Sequence, residues 1–255
     1  LLLDDLQWLG LTWDKGPYYQ SKRAELYQDA LSDLKQQGLL YPCFCSRADL
    51  HAAQAPHASD GAYVYAGTCR DLDKSEREEL SKHKIPATRI RVPHKTYAFE
   101  DKVYGQTSQN LSKLCGDFIV QRADGVFAYQ LAVVVDDADM GVTEVVRGSD
   151  LLSSTPRQLY LQDVLGFSHP IYAQLPLLVA PDGRRLSKRN HDLDLGVLRD
   201  QEKTPEEILG FLAYCIGLAE KEEPLSAVQV ANRFSWDALR AHRKNVVVEH
   251  FSHVL

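Results

Sequence analysis

Phe127 to Arg157 reads FAYQLAVVVDDADMGVTEVVRGSDLLSSTPR, and the fold turns on how this stretch is read. Its apolar run Leu131-Ala132-Val133-Val134-Val135 is too continuous for a strand with one wet face. It predicts a strand buried on both sides of a mainly parallel sheet, and such sheets bind ligands beyond their strand ends. Asp136-Asp137 then opens a loop through Met140-Gly141. A second β-branched run, Val142 to Val146, closes on Arg147-Gly148-Ser149-Asp150. A guanidinium at a strand end, beside a glycine that lets a ligand near the backbone, suits fork-like recognition of a carboxylate. Tyr129, upstream, can add a phenolic contact. The plainer alternative makes Arg147 a surface ion-pair partner and Tyr129 a core residue. Ser153-Ser154-Thr155-Pro156 offers an N-cap and a first-turn proline, which predicts a helix to Leu165 that stops at Gly166.

Working outward, the 255 residues can bury a large core and suggest more than one domain. The chain is 44% hydrophobic and 25% charged, ordinary for a globular protein, and no apolar stretch approaches a membrane span. The N-terminus has no basic region followed by a cleavage site, so a cytoplasmic protein is expected. A net charge of -6 argues against coating nucleic acid indiscriminately, while leaving room for a local basic patch at Arg184, Arg185, Lys188 and Arg189. Five cysteines with one tight pair suggest a metal site plus two spare thiols, Cys115 and Cys215, which are read as core.

Leu2, Leu3, Leu6, Leu9 and Leu11 have near-helical spacing but no N-cap, so a segment is expected before Leu1. Tyr18 to Gly38 predicts a helix capped by Ser21. Cys43 and Cys45 can bind one tetrahedral ion from a tight turn, with Cys69 closing the site and His51, His57 or Tyr65 as fourth ligand. By chemistry alone a histidine is preferred, because phenolate is an uncommon zinc ligand. Residues 71–84 predict a helix capped by Ser75. Ala87 to Val92, Tyr97 to Phe99 and Lys102 to Gly105 read as short antiparallel strands, followed by a strand at Asp117 to Arg122. Residues 42–125 therefore read as an insertion between two halves of the sheet. Ile171 to Val179 is apolar and extended, and Pro181-Asp182-Gly183 is a turn. The cationic Arg184 to Arg189 run can neutralise a polyphosphate or simply be a solvated turn. Residues 205–219 predict a helix opened by Thr204-Pro205-Glu206-Glu207, and Ser226 to Asn232 another.

Four motifs together resemble the glutamyl-tRNA synthetase family of class I aminoacyl-tRNA synthetases. They are Tyr41-Pro42-Cys43-Phe44-Cys45, Gly67-Thr68-Cys69-Arg70, the run through Val146-Arg147-Gly148-Ser149-Asp150 to Gln158, and Arg185-Leu186-Ser187-Lys188. The resemblance implies an α/β, Rossmann-like class I catalytic domain with an inserted zinc-containing subdomain and a C-terminal helical segment. The implied division is 1–41 and 126–180 for the catalytic domain, 42–125 for the zinc-binding, acceptor-type insertion, and 181–255 for the signature loop and helical domain. Within the family it is nearest to short members that lack an anticodon-binding domain. Their zinc pattern maps onto Cys43, Cys45, Tyr65 and Cys69 and displaces the histidine preference. It also implies that Tyr129 and Arg147 hold L-glutamate, and that Arg185, Leu186, Ser187 and Lys188 meet ATP, with Lys188 catalytic.

The implied reaction is ATP-dependent activation of glutamate, with Mg2+, and transfer to the queuosine base at the wobble position of tRNA(Asp) by a monomer. Alternatives are the core of an ordinary glutamyl-tRNA synthetase and an inactive, zinc-stabilised RNA-binding module. Two departures stand out. Arg185 occupies a position that is usually lysine in the signature loop, and the family's HIGH-like motif is absent. A preceding unit of roughly 30 residues or more is therefore expected, and without it little adenylate formation.

Overall fold

The computed structural model describes residues 2–46, 48–49, 64–186 and 195–248. Helix α1 (Leu2–Trp8) leads through an extended segment to α2 (Ala24–Gln36), and strand β1 (Leu40–Cys43) follows. Helix α3 (Lys74–Ser81) precedes β2 (Ala87–Ile90), the hairpin β3 (Thr96–Asp101) and β4 (Gly105–Asn110), the short helix α4 (Leu111–Leu114), and β5 (Phe118–Gln121). Then come α5 (Tyr129–Asp139), β6 (Glu144–Gly148), a 3-10 stretch (Ser149–Ser154), α6 (Thr155–Leu165), β7 (Ile171–Leu175) and β8 (Leu178–Val179). The described C-terminal part holds α7 (Leu195–Asp200), α8 (Pro205–Cys215), α9 (Ala227–Asn232), α10 (Trp236–Ala241) and β9 (Val246–Val247).

The central expectation fails at 131–135, because the run predicted as a doubly buried strand lies inside helix α5. Leu131, Ala132, Val135 and Asp136 follow helical spacing and are buried together with Val134, whereas Val133 and Asp137 are only half-buried. Asp136 is therefore not in a loop. It accepts hydrogen bonds from Tyr27 Oη (2.8 and 2.9 Å) and Gln20 Nε2 (2.8 Å), and pairs with Arg23 Nε at 2.7 Å. A buried carboxylate with this many partners ties α2 to α5.

The sheet is mixed rather than mainly parallel. Its order is β4-β3-β7-β6, with β6 and β7 parallel, β3 parallel to β7 only at Asp101 and Tyr172, and β3 and β4 antiparallel. A second, antiparallel sheet runs β1-β2-β5. One apolar core takes Leu31 and Leu34 from α2, Ile90 from β2, Val120 from β5, Leu131 from α5, Leu161 from α6 and Tyr172 from β7. Residues on both sides of position 125 thus share that core. A second cluster joins Leu9 to Ile208, Leu209 and Phe211 of α8.

Smaller corrections have local causes. Arg23, not Ser21, is the N-cap of α2, because Gln20–Lys22 form a 3-10 turn first. Asp73, not Ser75, caps α3: its side chain accepts from Glu76 N while Glu76 answers to Asp73 N, a capping box. Lys102 to Tyr104 are a turn between β3 and β4, and Asp101 Oδ1 accepts the amides of Val103 and Tyr104 at 2.9 Å. The helix expected from Ser153 to Leu165 starts at Thr155 and ends, as predicted, at Gly166 with φ 71°. The helices expected near 205 and 226 open with capping boxes at Thr204 and Ser226.

Candidate functional site

Two constellations carry chemistry. In the first, β1 delivers Cys43 and the turn after it delivers Cys45, while the 64–70 segment folds back so that Tyr65 and Cys69 face them. The three cysteine sulfurs lie within 4.8 Å of one another. Cys45 Sγ is 3.6 Å from Cys69 Sγ, and Tyr65 Oη stands 3.6 Å from Cys43 Sγ and 3.9 Å from Cys45 Sγ. The edge of a tetrahedron of thiolates around zinc is about 3.8 Å for bonds of about 2.3 Å, so the donor set is already spaced to hold one such ion. His51 and His57 lie outside the described residues.

Arg89 on β2 backs this cluster and is buried. Its Nε donates to Cys43 Sγ at 3.1 Å, its Nη1 donates to Asp117 O at 2.7 Å, and its guanidinium lies 3.8 Å from the centre of the Tyr65 ring. Burial opposes ionisation of the Cys43 thiol, but the charge and hydrogen bond of Arg89, together with hydrogen bonds from Tyr65 and the Cys45 backbone, outweigh it and hold that thiol below its ordinary value. Cys45 has no such neighbour. Burial, helped by the adjacent sulfurs, pushes it up to about 12. Burial also raises the Tyr65 phenol.

The second constellation sits at the C-terminal ends of the parallel pair, where the register sets Arg147 of β6 opposite Gln174 of β7. Arg147 Nη2 donates to Thr155 Oγ1 at 2.9 Å and to Leu151 O at 3.4 Å, and the guanidinium lies 5.3 Å from the centre of the Tyr172 ring. Gln174 is best satisfied with its amide nitrogen on Gly148 O (3.0 Å). This turns its oxygen toward Thr155 Oγ1 and Arg147 Nε, both at 3.3 Å. Thr155 and Gln174 are fully buried. Tyr129, the first residue of α5, is 49% exposed. The Tyr172 phenol is raised by burial, with Gln162 and Arg147 pulling it down. Burial raises Asp137 as well, against the pull of Arg147.

Arg147 thus lies over the Tyr172 ring, while Tyr129 opens α5 with about half of its surface in solvent. Gly148 answers a different need from the one expected: a side chain there would meet Asp150 Oδ1 at 2.7 Å and Leu177 Cδ2 at 2.9 Å. The close approach is made by the protein itself. Arg185 ion-pairs with Asp150, which sets the start of the basic loop beside the Arg147 strand, and Leu186 is half-buried. Ser187, Lys188 and Arg189 lie outside the described residues. Thr155, Gln174 and Arg89 were missed. Gln174 did leave a signal, as the one polar residue inside the apolar run Ile171 to Leu175.

The model of the family described as tRNA synthetases class I (E and Q), catalytic domain, matches residues 1–252. A glutamyl-Q tRNA(Asp) synthetase of Symbiobacterium thermophilum is 49% identical over 233 residues, covering 87% of this chain and 72% of the relative. A relative of the same name from Nitratidesulfovibrio vulgaris is 45% identical over 227 residues, covering 85% and 70%. Among solved structures, a glutamate tRNA ligase from Elizabethkingia meningosepticum, in complex with its amino acid, superposes with a TM-score of 0.75 at 23% identity. It covers 96% of this chain and 56% of that one. Glutamate-tRNA synthetase from Elizabethkingia anophelis gives 0.77 at 23% identity, covering 97% and 57%. The chain spans just over half of these solved proteins, whose likeness establishes a shared fold of mixed α/β content. With the family model matched along nearly its whole length, the chain belongs to the class I tRNA synthetases for glutamate and glutamine.

Proposed function

We propose that the full-length protein to which this chain belongs activates L-glutamate with ATP and transfers it to the queuosine base at the wobble position of tRNA(Asp). The observation that carries the reading is the 45–49% identity, over 85–87% of the chain, to relatives named glutamyl-Q tRNA(Asp) synthetase. Arg147 and Tyr129 are assigned to glutamate. A half-buried guanidinium at the end of a parallel strand pair, with one edge open, fits a carboxylate, and the half-exposed Tyr129 phenol at the start of α5 is free to donate a hydrogen bond. Arg185, Leu186, Ser187 and Lys188 are assigned to ATP on their sequence, with Lys188 placing a mobile positive charge at the phosphates.

The α-carboxylate of glutamate attacks the α-phosphorus in line and pyrophosphate leaves; Mg2+ accompanying ATP would supply charge neutralisation at the phosphates. The glutamyl group of the resulting adenylate then passes to queuosine and AMP is released. The protein contributes positioning and charge stabilisation rather than a covalent intermediate of its own.

Cys43, Cys45, Tyr65 and Cys69 would hold one zinc ion. Bound there, zinc supplies a cross-link between β1 and the 64–70 segment, and four protein donors leave no open coordination position for a substrate. On this reading 42–125 is the unit the metal braces, inserted in a Rossmann-like domain that closes with 126–180, and the helices after 181 carry the C-terminal part. No described helix is long and apolar enough to cross a membrane.

The test supplies the full-length protein with glutamate, ATP and either tRNA(Asp) bearing queuosine or unmodified tRNA(Glu), and maps the attached glutamate by nuclease digestion and mass spectrometry. Glutamate on the wobble base of tRNA(Asp) is the expected result. Glutamate on the 3′ end of tRNA(Glu) would replace the proposal with ordinary aminoacylation, and RNA binding without any transfer would replace it with a binding module.

A further inference from the structure

We infer that Thr155 and Gln174 are positioning residues that hold one edge of the Arg147 guanidinium so that the opposite nitrogen is presented to the carboxylate of the substrate. The inference rests on the reading that Arg147 meets that carboxylate. A guanidinium has five N–H donors in a fixed plane, so fixing some of them dictates where the others point. Nε is 3.3 Å from the Gln174 oxygen, and Nη2 donates to Thr155 Oγ1 and to Leu151 O. Among the described residues Nη1 makes no hydrogen bond, so its two N–H groups remain for a ligand.

The holder is itself held. Thr155 Oγ1 accepts from Arg147 and donates to the Gln174 oxygen, and the Gln174 amide donates to Gly148 O. The backbone N–H of Gln174 donates to Asp101 Oδ2 at 3.0 Å, and Asp101 is buried. Each donor in this relay has an acceptor, and both side chains are fully buried. Two buried polar side chains whose hydrogen bonds run toward one half-buried arginine are more than apolar packing requires. The Tyr172 ring beneath the guanidinium completes the cradle.

The experiment measures glutamate KM, ATP KM and kcat by ATP–pyrophosphate exchange for the full-length wild type, T155V, T155S, R147K and T155V/R147K, with a thermal melt of each. Valine matches threonine in shape but can neither donate nor accept. T155V is expected to raise glutamate KM about tenfold, the size of one hydrogen bond to a charged group, while kcat and ATP KM stay within about twofold. T155S is expected to restore the wild-type KM. In the R147K background T155V is expected to add less than about twofold, because the fork it positions is gone. An unchanged glutamate KM in T155V overturns the inference. So does an equal effect in the R147K background, or a loss of kcat that tracks a fall in melting temperature. Should R147K itself leave glutamate KM unchanged, the reading of Arg147 as a carboxylate clamp fails first, and that outcome is distinct from a silent T155V.

Discussion

The cysteine cluster and the Arg147 pocket are both built from residues far apart in sequence, but they differ in how many of their polar atoms are already engaged. In the cluster every donor faces another: the sulfurs of Cys43, Cys45 and Cys69 and the Tyr65 hydroxyl crowd together, and Cys69 N donates to Tyr65 Oη at 2.7 Å. In the pocket one edge of Arg147 is engaged and the other is open, and the Tyr129 ring is half in solvent. A closed donor set suits a permanent ion that braces the fold. A half-engaged one suits a ligand that comes and goes.

The largest expected effect breaks the closed site. Cys69→Ser replaces a soft thiolate with a poor ligand, and a structural zinc can contribute of the order of 10 kcal/mol of apparent folding energy. Metal analysis should find the bound zinc lost, and the melt should show the β1-β2-β5 region unfolding well before the rest. A variant that keeps stoichiometric metal and melts like the wild type would mean that the cluster is three reduced thiols and a tyrosine.

Next in size is Asp136, the buried carboxylate that ties α2 to α5. Removing one partner of a buried ion pair typically costs about 3 kcal/mol or more, so Asp136→Ala should lower stability by about that amount in urea titrations. Tyr27 Oη, Gln20 Nε2 and Arg23 Nε all lose a common acceptor in this variant. A change below about 1 kcal/mol would show that water or Asp139, which already pairs with Arg23 Nη2 at 2.7 Å, takes over.

Asp136 also shows why part of the fold was illegible. An acid following three valines looks like the end of a strand, and nothing local announces that its partners lie more than a hundred residues away. Helix α5 hides its start as well: its N-cap is Ala128, with no side-chain cap. A continuous apolar run cannot be assigned to strand or helix by period alone, and here tertiary packing overrode the strand preference of consecutive valines. Helices α6, α8 and α9 were legible because they carry local punctuation: Gly166, Thr204-Pro205 and Ser226. The same division runs through the sites. The Cys-x-Cys turn announces itself, and Arg147 stands at the penultimate position of β6 as its strand-end reading required. Thr155, read only as a helix start, turns out to face that arginine.

On the open side, Arg147→Ala should weaken glutamate binding by more than about 2 kcal/mol, roughly thirtyfold in KM, with little change in melting temperature. That combination separates a ligand contact from a brace. A glutamate KM within twofold of the wild type would remove Arg147 from the site, and a large fall in melting temperature would make the pocket resemble the cluster.

The smallest expected effect sharpens the contrast within the pocket. Tyr129→Phe keeps the ring at the start of α5 and removes only the hydroxyl, which makes no hydrogen bond to the protein among the described residues. Stability should therefore be unchanged within error, because no buried partner is left unsatisfied. Glutamate KM should rise by a factor of about three to ten, the equivalent of one hydrogen bond worth about 1 kcal/mol. The size relative to Arg147→Ala is the informative quantity. A phenol that is half in water exchanges one hydrogen-bond partner for another when the substrate arrives, whereas the arginine gains an ionic partner. If Tyr129→Phe proved as damaging as Arg147→Ala, the hydroxyl would have to sit in a desolvated contact in the complex. The pocket would then close around glutamate far more tightly than the 49% exposure of Tyr129 shows without it.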